Sequence, residues 1–258
     1  MKILVCVKQI IQLADPESLP DEGAWDPADG RADYDINYYD TFAIEEAVQI
    51  KERLPDVTID AVSVGPDRVE ATLRKALALG ADNAIHIRTP DLPLMPAAAV
   101  ADLIHKATAK TAYNLILAGV MSEDLMQRLT GPMLAALRGI PCATSVIEAR
   151  LAPDKGAVCA VCELEGGLRE TVELTLPALL TVQSGINLPR YASLSNRLRA
   201  RSQAIEAVAV RPLEIPDAGL AVGPVFVPPR TPGGEILTGT PEEKARKLIE
   251  RLHAKSIL

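Results

Sequence analysis

The chain has 258 residues, a net charge of −7 and 48% hydrophobic residues, enough to bury a sizeable core in one large domain or one domain with an extension. Only two Phe and one Trp are present, so that core must be aliphatic, and the acidic balance with few aromatics speaks against general nucleic-acid binding. No apolar run reaches the length of a membrane span, MKILVCVKQI leads straight into polar sequence without a signal or import leader, and the four scattered cysteines read as reduced thiols. The expectation is a bacterial cytoplasmic protein.

Taken in chain order, KILVCV (2–7) is a short continuous apolar run of the kind that forms a parallel strand buried on both faces. Lys8 to Asn37 is long, acidic and bears Pro, Gly and Trp25, an insertion expected to cover or dock something. Asp40 stands where an N-cap would open a helix carrying Phe42, Ala43, Ala47, Val48 and Ile50. VTIDAVSVGP (57–66) gives a second strand, DRVEATLRKALALGAD a helix closed by Gly80, NAIHIR (83–88) a third strand and Ala97–Ala109 a third helix. NLILAG (114–119) and Met121–Arg138 complete a fourth strand–helix pair. This alternation predicts an α/β fold, a mostly parallel doubly wound sheet with helices on both faces.

After Pro141 the strands 143–151, 157–164 and 171–182 follow one another without a helix, which predicts antiparallel edges. Residues 1–205 are expected to form this α/β domain. Residues 206–258 are expected to form an extended arm, Pro- and Gly-rich over Arg211–Pro232, ending in a helix that Thr240-Pro241-Glu242-Glu243 starts. Its apolar side could lie on a partner subunit or on the chain's own domain.

In an open α/β sheet, ligands bind beyond the carboxyl ends of the strands, beside helix N-termini that favour phosphate. Cys6-Val7-Lys8, Val64-Gly65-Pro66 and the loop Gly119–Gly131 qualify. Neither G-x-G-x-x-G nor a Walker A motif is present, so a nucleotide here is held rather than hydrolysed. Cys159 and Cys162 form a lone C-x-x-C in a predicted strand, where residues three apart face opposite sides, so packed thiols are the better reading than redox or zinc chemistry. The three histidines are scattered and suggest no catalytic arrangement.

The most distinctive stretch is Glu163–Arg201. An acidic residue and two glycines, then E-T-V-E-L, then Pro177 and an apolar run containing Thr181, resembles the signature of the electron transfer flavoprotein β-subunit, and LPRYASLSN resembles the segment that follows it. Cys162 departs from the usual Lys or Arg. In that family the segment is a recognition loop, here 184–201, whose leucine anchors in a partner dehydrogenase. The resemblance therefore implies partner binding by Arg190, Tyr191, Leu194, Arg197 and Arg199. Four arginines without an acid between 190 and 201, in an acidic chain, fit an acidic partner.

The resemblance also implies a heterodimer with an α-subunit that carries most of the FAD, an AMP in this chain, flavoprotein dehydrogenases such as acyl-CoA dehydrogenase as donors, and a quinone reductase as acceptor. No catalytic residue is implied. The AMP would lie against Cys6, Asn37, Tyr38, Tyr39, Asp40, Val64, Asp124, Gln127, Arg128, Leu129, Thr130 and Gly131. Tyr38 replaces a family Pro, and Ser122, Met126 and Leu129 stand at family Ala, Asp and Gln positions, with Leu129 removing a donor and acceptor near the expected phosphate. Asp40 and Asp124 could equally serve as plain helix caps. Two other readings stay open: a flavin-bifurcating subunit that binds a second FAD and oxidises NADH, against which Met95–Ala99 lacks the expected hydroxyls, and a stand-alone adenylate-binding sensor.

Overall fold

A computed structural model describes residues 1–12, 33–90, 95–152, 156–209 and 233–258. The insertion around Trp25 and the arm Arg211–Pro232 lie outside the described residues. The chain divides into two compact units, Met1–Val225 and Phe226–Leu258.

The core of the first unit follows from alternation along its apolar strands. In β1 (Lys2–Cys6), Ile3 and Val5 pack into one hydrophobic cluster and Leu4 and Cys6 into another on the opposite face. A strand buried on both faces needs a covering layer on each. α1 (Tyr38–Arg53) and α2 (Glu70–Leu79) supply one layer, and α3 (Ala97–Ala107) and α4 (Thr130–Arg138) the other. Further parallel strands are β4 (Thr58–Gly65), β5 (Asn83–Arg88), β6 (Leu115–Gly119), β7 (Cys142–Leu151) and β10 (Ala178–Val182). β8 (Ala157–Glu163) and β9 (Arg169–Thr175) add antiparallel to β7, as the helix-free run after Pro141 predicts.

Among the described residues the main sheet has nine strands in the order β11-β5-β4-β1-β6-β10-β7-β8-β9, where β11 is Glu206–Ala209. The sheet's last strand thus lies beyond residue 205, where the domain was expected to end. The stretch expected as one strand over 171–182 is two: Pro177, which has no N–H to give a ladder, separates β9 on the outer edge from β10, which crosses back between β6 and β7. The two ends of the long insertion pair as a small antiparallel ribbon, β2 (Gln9–Gln12) with β3 (Asp33–Ile36).

Two helix starts differ from expectation. The N-cap of α1 is Asn37, and Asp40 is buried inside the first turn. α4 begins at Thr130 rather than near Met121, because Ser122 closes a tight loop: its carbonyl accepts from Met126 N at 2.8 Å and its N–H donates to Gln127 O at 3.1 Å.

The basic segment contains a further helix, α5 (Leu194–Ser202), with Ser193 as N-cap. Only Ala200 of it is buried, so apolar burial does little to hold it. Two arginines do more. Arg74 of α2, oriented by Glu70, donates to the carbonyls of Ala200 at 2.6 Å, Arg201 at 3.0 Å and Gln203 at 3.2 Å, while Arg199 of α5 donates to Leu77 O at 3.0 Å. Each helix thus places a cation on the other's carboxyl end, where the carbonyls and the dipole favour it.

The second unit is α6 (Pro241–Ala254), opened by a capping box between Thr240 and Glu243 and steadied by Arg251 on Glu235 at 2.9 Å.

Arg74→Ala should speed amide exchange over 199–203 about tenfold or more, since charged hydrogen bonds of this kind contribute about 1.5–3 kcal/mol, while β1 and β6 keep their protection. Unchanged exchange in α5 would show that the arginine exchange does not hold it.

Candidate functional site

The chain passes from β1 to β4 and β5 on one side, then returns to β6 on the other side of β1. At such a reversal the connections diverge and leave a crevice beyond the strand ends. The cleft there is lined by Cys6, Val7 and Lys8 after β1, Val64 to Pro66 after β4, Thr89 and Pro90 after β5, and Gly119 to Gly131 in part after β6.

Asp40 closes its floor. One carboxylate oxygen accepts the Lys8 N–H at 2.7 Å and the other the Gly119 N–H at 3.0 Å. These are the backbone donors at the ends of β1 and β6, and α1 delivers the acceptor to both. Burial pushes the Asp40 carboxyl up to about 7 against the pull of these donors, Asn37 and the Lys8 charge. Asn37 ties α1 to the next loop by donating to Met121 O at 2.9 Å and accepting from Glu123 N at 3.1 Å. Gly119 must lack a side chain: a Cβ there would come within 2.7 Å of Tyr39 Cβ and collide with the Asp40 carboxylate. Gly131 is equally confined, with Thr181 Cγ2 at 2.6 Å from where its Cβ would stand.

Lys8 extends along one wall and pairs with Asp124 at 2.5 Å. Gln9 binds Arg68 O at 3.0 Å and Thr72 at 3.2 Å, and the Arg68 guanidinium lies over the Tyr34 ring at 4.8 Å. α4 opens onto the cleft with no side chain capping its first turn, so its leading N–H groups remain for an anion. Ser122 is buried against the same space, and its hydroxyl has no hydrogen-bond partner among the described residues. Cys6 is an unreactive wall residue, its thiol pushed up to about 12 chiefly by burial.

Eight of the residues expected at a nucleotide line this cleft: Cys6, Asn37, Asp40, Val64, Asp124, Gln127, Thr130 and Gly131. Tyr38, Tyr39, Arg128 and Leu129 are not among its lining residues. Tyr38 is half exposed and packs edge-on against Phe42, while Arg128 and Leu129 point outward, so the change to Leu at 129 leaves the cleft wall intact. Neither Asp40 nor Asp124 acts as the cap of α1 or α4. Thr89 and Arg68 were not singled out for this site by sequence, and Ser122 was named there only as a departure from the family pattern. Only the register of the strand ends, unknown before the fold, brings them together.

In the second candidate region, Tyr191 is 96% exposed and Leu194 75%, with Leu188 and Leu198 also exposed. Leu198 lies one turn along α5 from Leu194, on the same face. Arg197 is exposed, but Arg190 and Arg199 are engaged within the chain, on α1 and α2 respectively. Half of the positive charge on which the basic arm was read as a docking surface is therefore answered internally or at a helix end. Cys159 is partly buried and Cys162 buried, all four cysteines are free, and no metal-binding cluster occurs among the described residues. Nor, among them, is any helix long and apolar enough to cross a membrane.

The family profile of the electron transfer flavoprotein domain matches residues 25–213. Over 258 residues the chain is 36% identical to the electron transfer flavoprotein subunit beta of Methylophilus methylotrophus, covering 97% of each chain. It is 33% identical to the human subunit beta, again with 97% of each covered, and 33% identical to that of Bacillus subtilis, with 88% of this chain and 89% of the relative covered.

The raised Asp40 carboxyl has a stability signature. Because its folded-state value lies above the unfolded one near 4, its contribution is greatest at low pH and is lost as pH rises to about 7. Urea midpoints of wild type relative to Asp40→Asn should therefore fall between about pH 4 and 7 and level off above. A difference that grows across that window would contradict the assignment.

Proposed function

The chain belongs to the electron transfer flavoprotein β-subunit family, and from that premise we propose that it pairs with an α-subunit, holds AMP in its cleft, supports the FAD of its partner and docks flavoprotein dehydrogenases such as acyl-CoA dehydrogenase. As in its family, the role is electron carriage rather than classical enzyme catalysis.

The observation that carries the docking half is the loop after β10. It leaves Leu188, Tyr191 and Leu194 in water while fixing the backbone beneath them. Exposed aromatic and aliphatic anchors on an ordered support are what a partner's pocket can desolvate at low entropic cost. Arg197 and Arg201 flank them and steer toward an acidic rim.

Support for a nucleotide comes from the uncapped start of α4 and the unsatisfied Ser122 hydroxyl beside it. Thr130 and Gly131 would meet the phosphate through backbone N–H groups, Ser122 would give a hydroxyl bond, and Val64 and Cys6 would form apolar wall. Lys8 supplies a cation at this end, shared with Asp124. AMP supplies no chemistry; its effect is to complete the packing where β1 and β6 end. The flavin, when bound in the heterodimer, supplies the one-electron chemistry. This chain's residues bind, orient and choose the partner.

Co-expression with the α-subunit, followed by release of cofactors from the denatured complex, tests this reading. Equimolar FAD and AMP are expected. Two flavins per heterodimer without AMP would replace it by the bifurcating reading, and no association with an α-subunit would overturn it. In the same complex Leu194→Ala should raise the apparent KM for a reduced acyl-CoA dehydrogenase about tenfold or more, with kcat little changed, as loss of an interface anchor does.

A further inference from the structure

We propose that Arg190 is the positioning residue of the docking loop: clamped along α1 by Glu45 and Glu52, it fixes the height and direction at which Tyr191 and Leu194 are presented, and it does not itself contact the partner. The proposal rests on the docking reading above.

The geometry is that of a guanidinium used on two of its edges. Nε donates to Glu45 Oε2 at 2.7 Å and Nη2 to Glu45 Oε1 at 2.9 Å. Nη1 donates to Glu52 Oε1 at 2.5 Å and Nη2 to Glu52 Oε2 at 3.1 Å. Glu45 and Glu52 lie seven residues apart on α1, two turns along one face, so the fork spans the helix lengthwise. The Arg190 N–H also donates to Glu45 at 3.3 Å, which binds the backbone of the loop as well as its side chain.

Three residues earlier, Asn187 donates to Phe42 O and to Glu46 Oε2, both at 3.1 Å. Glu45 and Glu46 are buried, and burial raises Glu46 while Arg190 and Gln49 more than offset the same effect on Glu45. Glu45 is the buried anchor of the fork, while Glu52 is exposed and forms its outer, weaker half. Between these two fastenings stands Leu188, and immediately after them Tyr191 and Leu194, all turned outward. The loop is thus fastened at 187 and 190, and α5 at 199, with the apolar anchors left over.

Only arginine fits this arrangement. A lysine would keep the charge but could bind one carboxylate as a point, not two as a fork. A residue meant for an acidic partner would have its donors free, whereas nearly all those of Arg190 already point at carboxylates.

The test uses the complex with the α-subunit and a reduced acyl-CoA dehydrogenase, comparing Arg190→Lys, Glu52→Lys and Leu194→Ala. The clamp predicts that Arg190→Lys raises the apparent KM roughly tenfold, within the range of coupled charged pairs, and that Glu52→Lys, at the exposed end of the fork, raises it about two- to fivefold, with kcat unchanged in both. It predicts also that amide exchange quickens over 186–193 but not in β10. If Arg190 instead meets an acidic partner directly, Glu52→Lys removes a competing anion, adds a cation and lowers KM, and Arg190→Lys costs little. Either of those results overturns the proposal. Unchanged exchange over 186–193 in both lysine variants overturns it independently of any partner. Faster exchange there, combined with no effect of Leu194→Ala on KM, would retain the clamp as a structural fastening but remove the docking role, and with it the proposal as stated.

Discussion

The Asp40 carboxylate is the constraint on which the cleft depends. Where a parallel sheet ends at a reversal of strand order, the last backbone donors of neighbouring strands have no ladder partner left, and a buried donor without an acceptor is costly. Asp40 accepts from both, at Lys8 and Gly119, and so sets where β1 stops, where β6 stops and how deep the first turn of α1 sits. Gly119 permits this by having nothing between its backbone and the carboxylate. Lys8 then departs along the wall toward Asp124, and Asn37 draws in the loop that carries Ser122. The same helix that closes the cleft with Asp40 carries Glu45, Glu46 and Glu52 further along, and these receive the loop after β10. One helix serves both regions, with acids at each.

The parallel core was legible because burial on both faces writes itself as a continuous apolar run: NAIHIR occupies β5 to the residue, and the other early strands agree within a residue or two at each end. What escaped was held by interactions distant in sequence. QIIQ, DYDI and EAVA are too short to display a period, and become strands only beside a partner. LSNRLRARS buries almost no apolar surface, since Leu194 and Leu198 face solvent, and is a helix because α2 lends it Arg74 and receives Arg199. The single strand expected over 171–182 ignored what a proline without an N–H does to a ladder.

The site divides along the same line. Residues adjoining strand ends could be named from sequence, since topology alone brings strand ends together. The role of Asp40 could not be read, because an aspartate near a helix start signals a local cap, and only the fold shows that its acceptors are spent on two other segments. Leu129 misled for a related reason: its place in the family pattern sits beside the cleft in sequence, yet its side chain leaves outward. Charge counting along 190–201 found a basic arm but could not tell which arginines were already answered. Sequence shows composition along a line, and ion pairs form between lines.

The clamp at Arg190 has a further consequence, for how copies of this chain treat each other. An acidic helix face and a basic, apolar loop on one molecule are head and tail of a contact that repeats without closing, the geometry from which open filaments grow. Here the acidic face is filled by the molecule's own loop: Glu45 and Glu52 already hold a guanidinium, so a neighbour's arm finds no carboxylates to displace without first breaking a fork on two edges. The two complementary surfaces cancel within each copy, and the loop's leucines stay exposed beside a charge that is already answered.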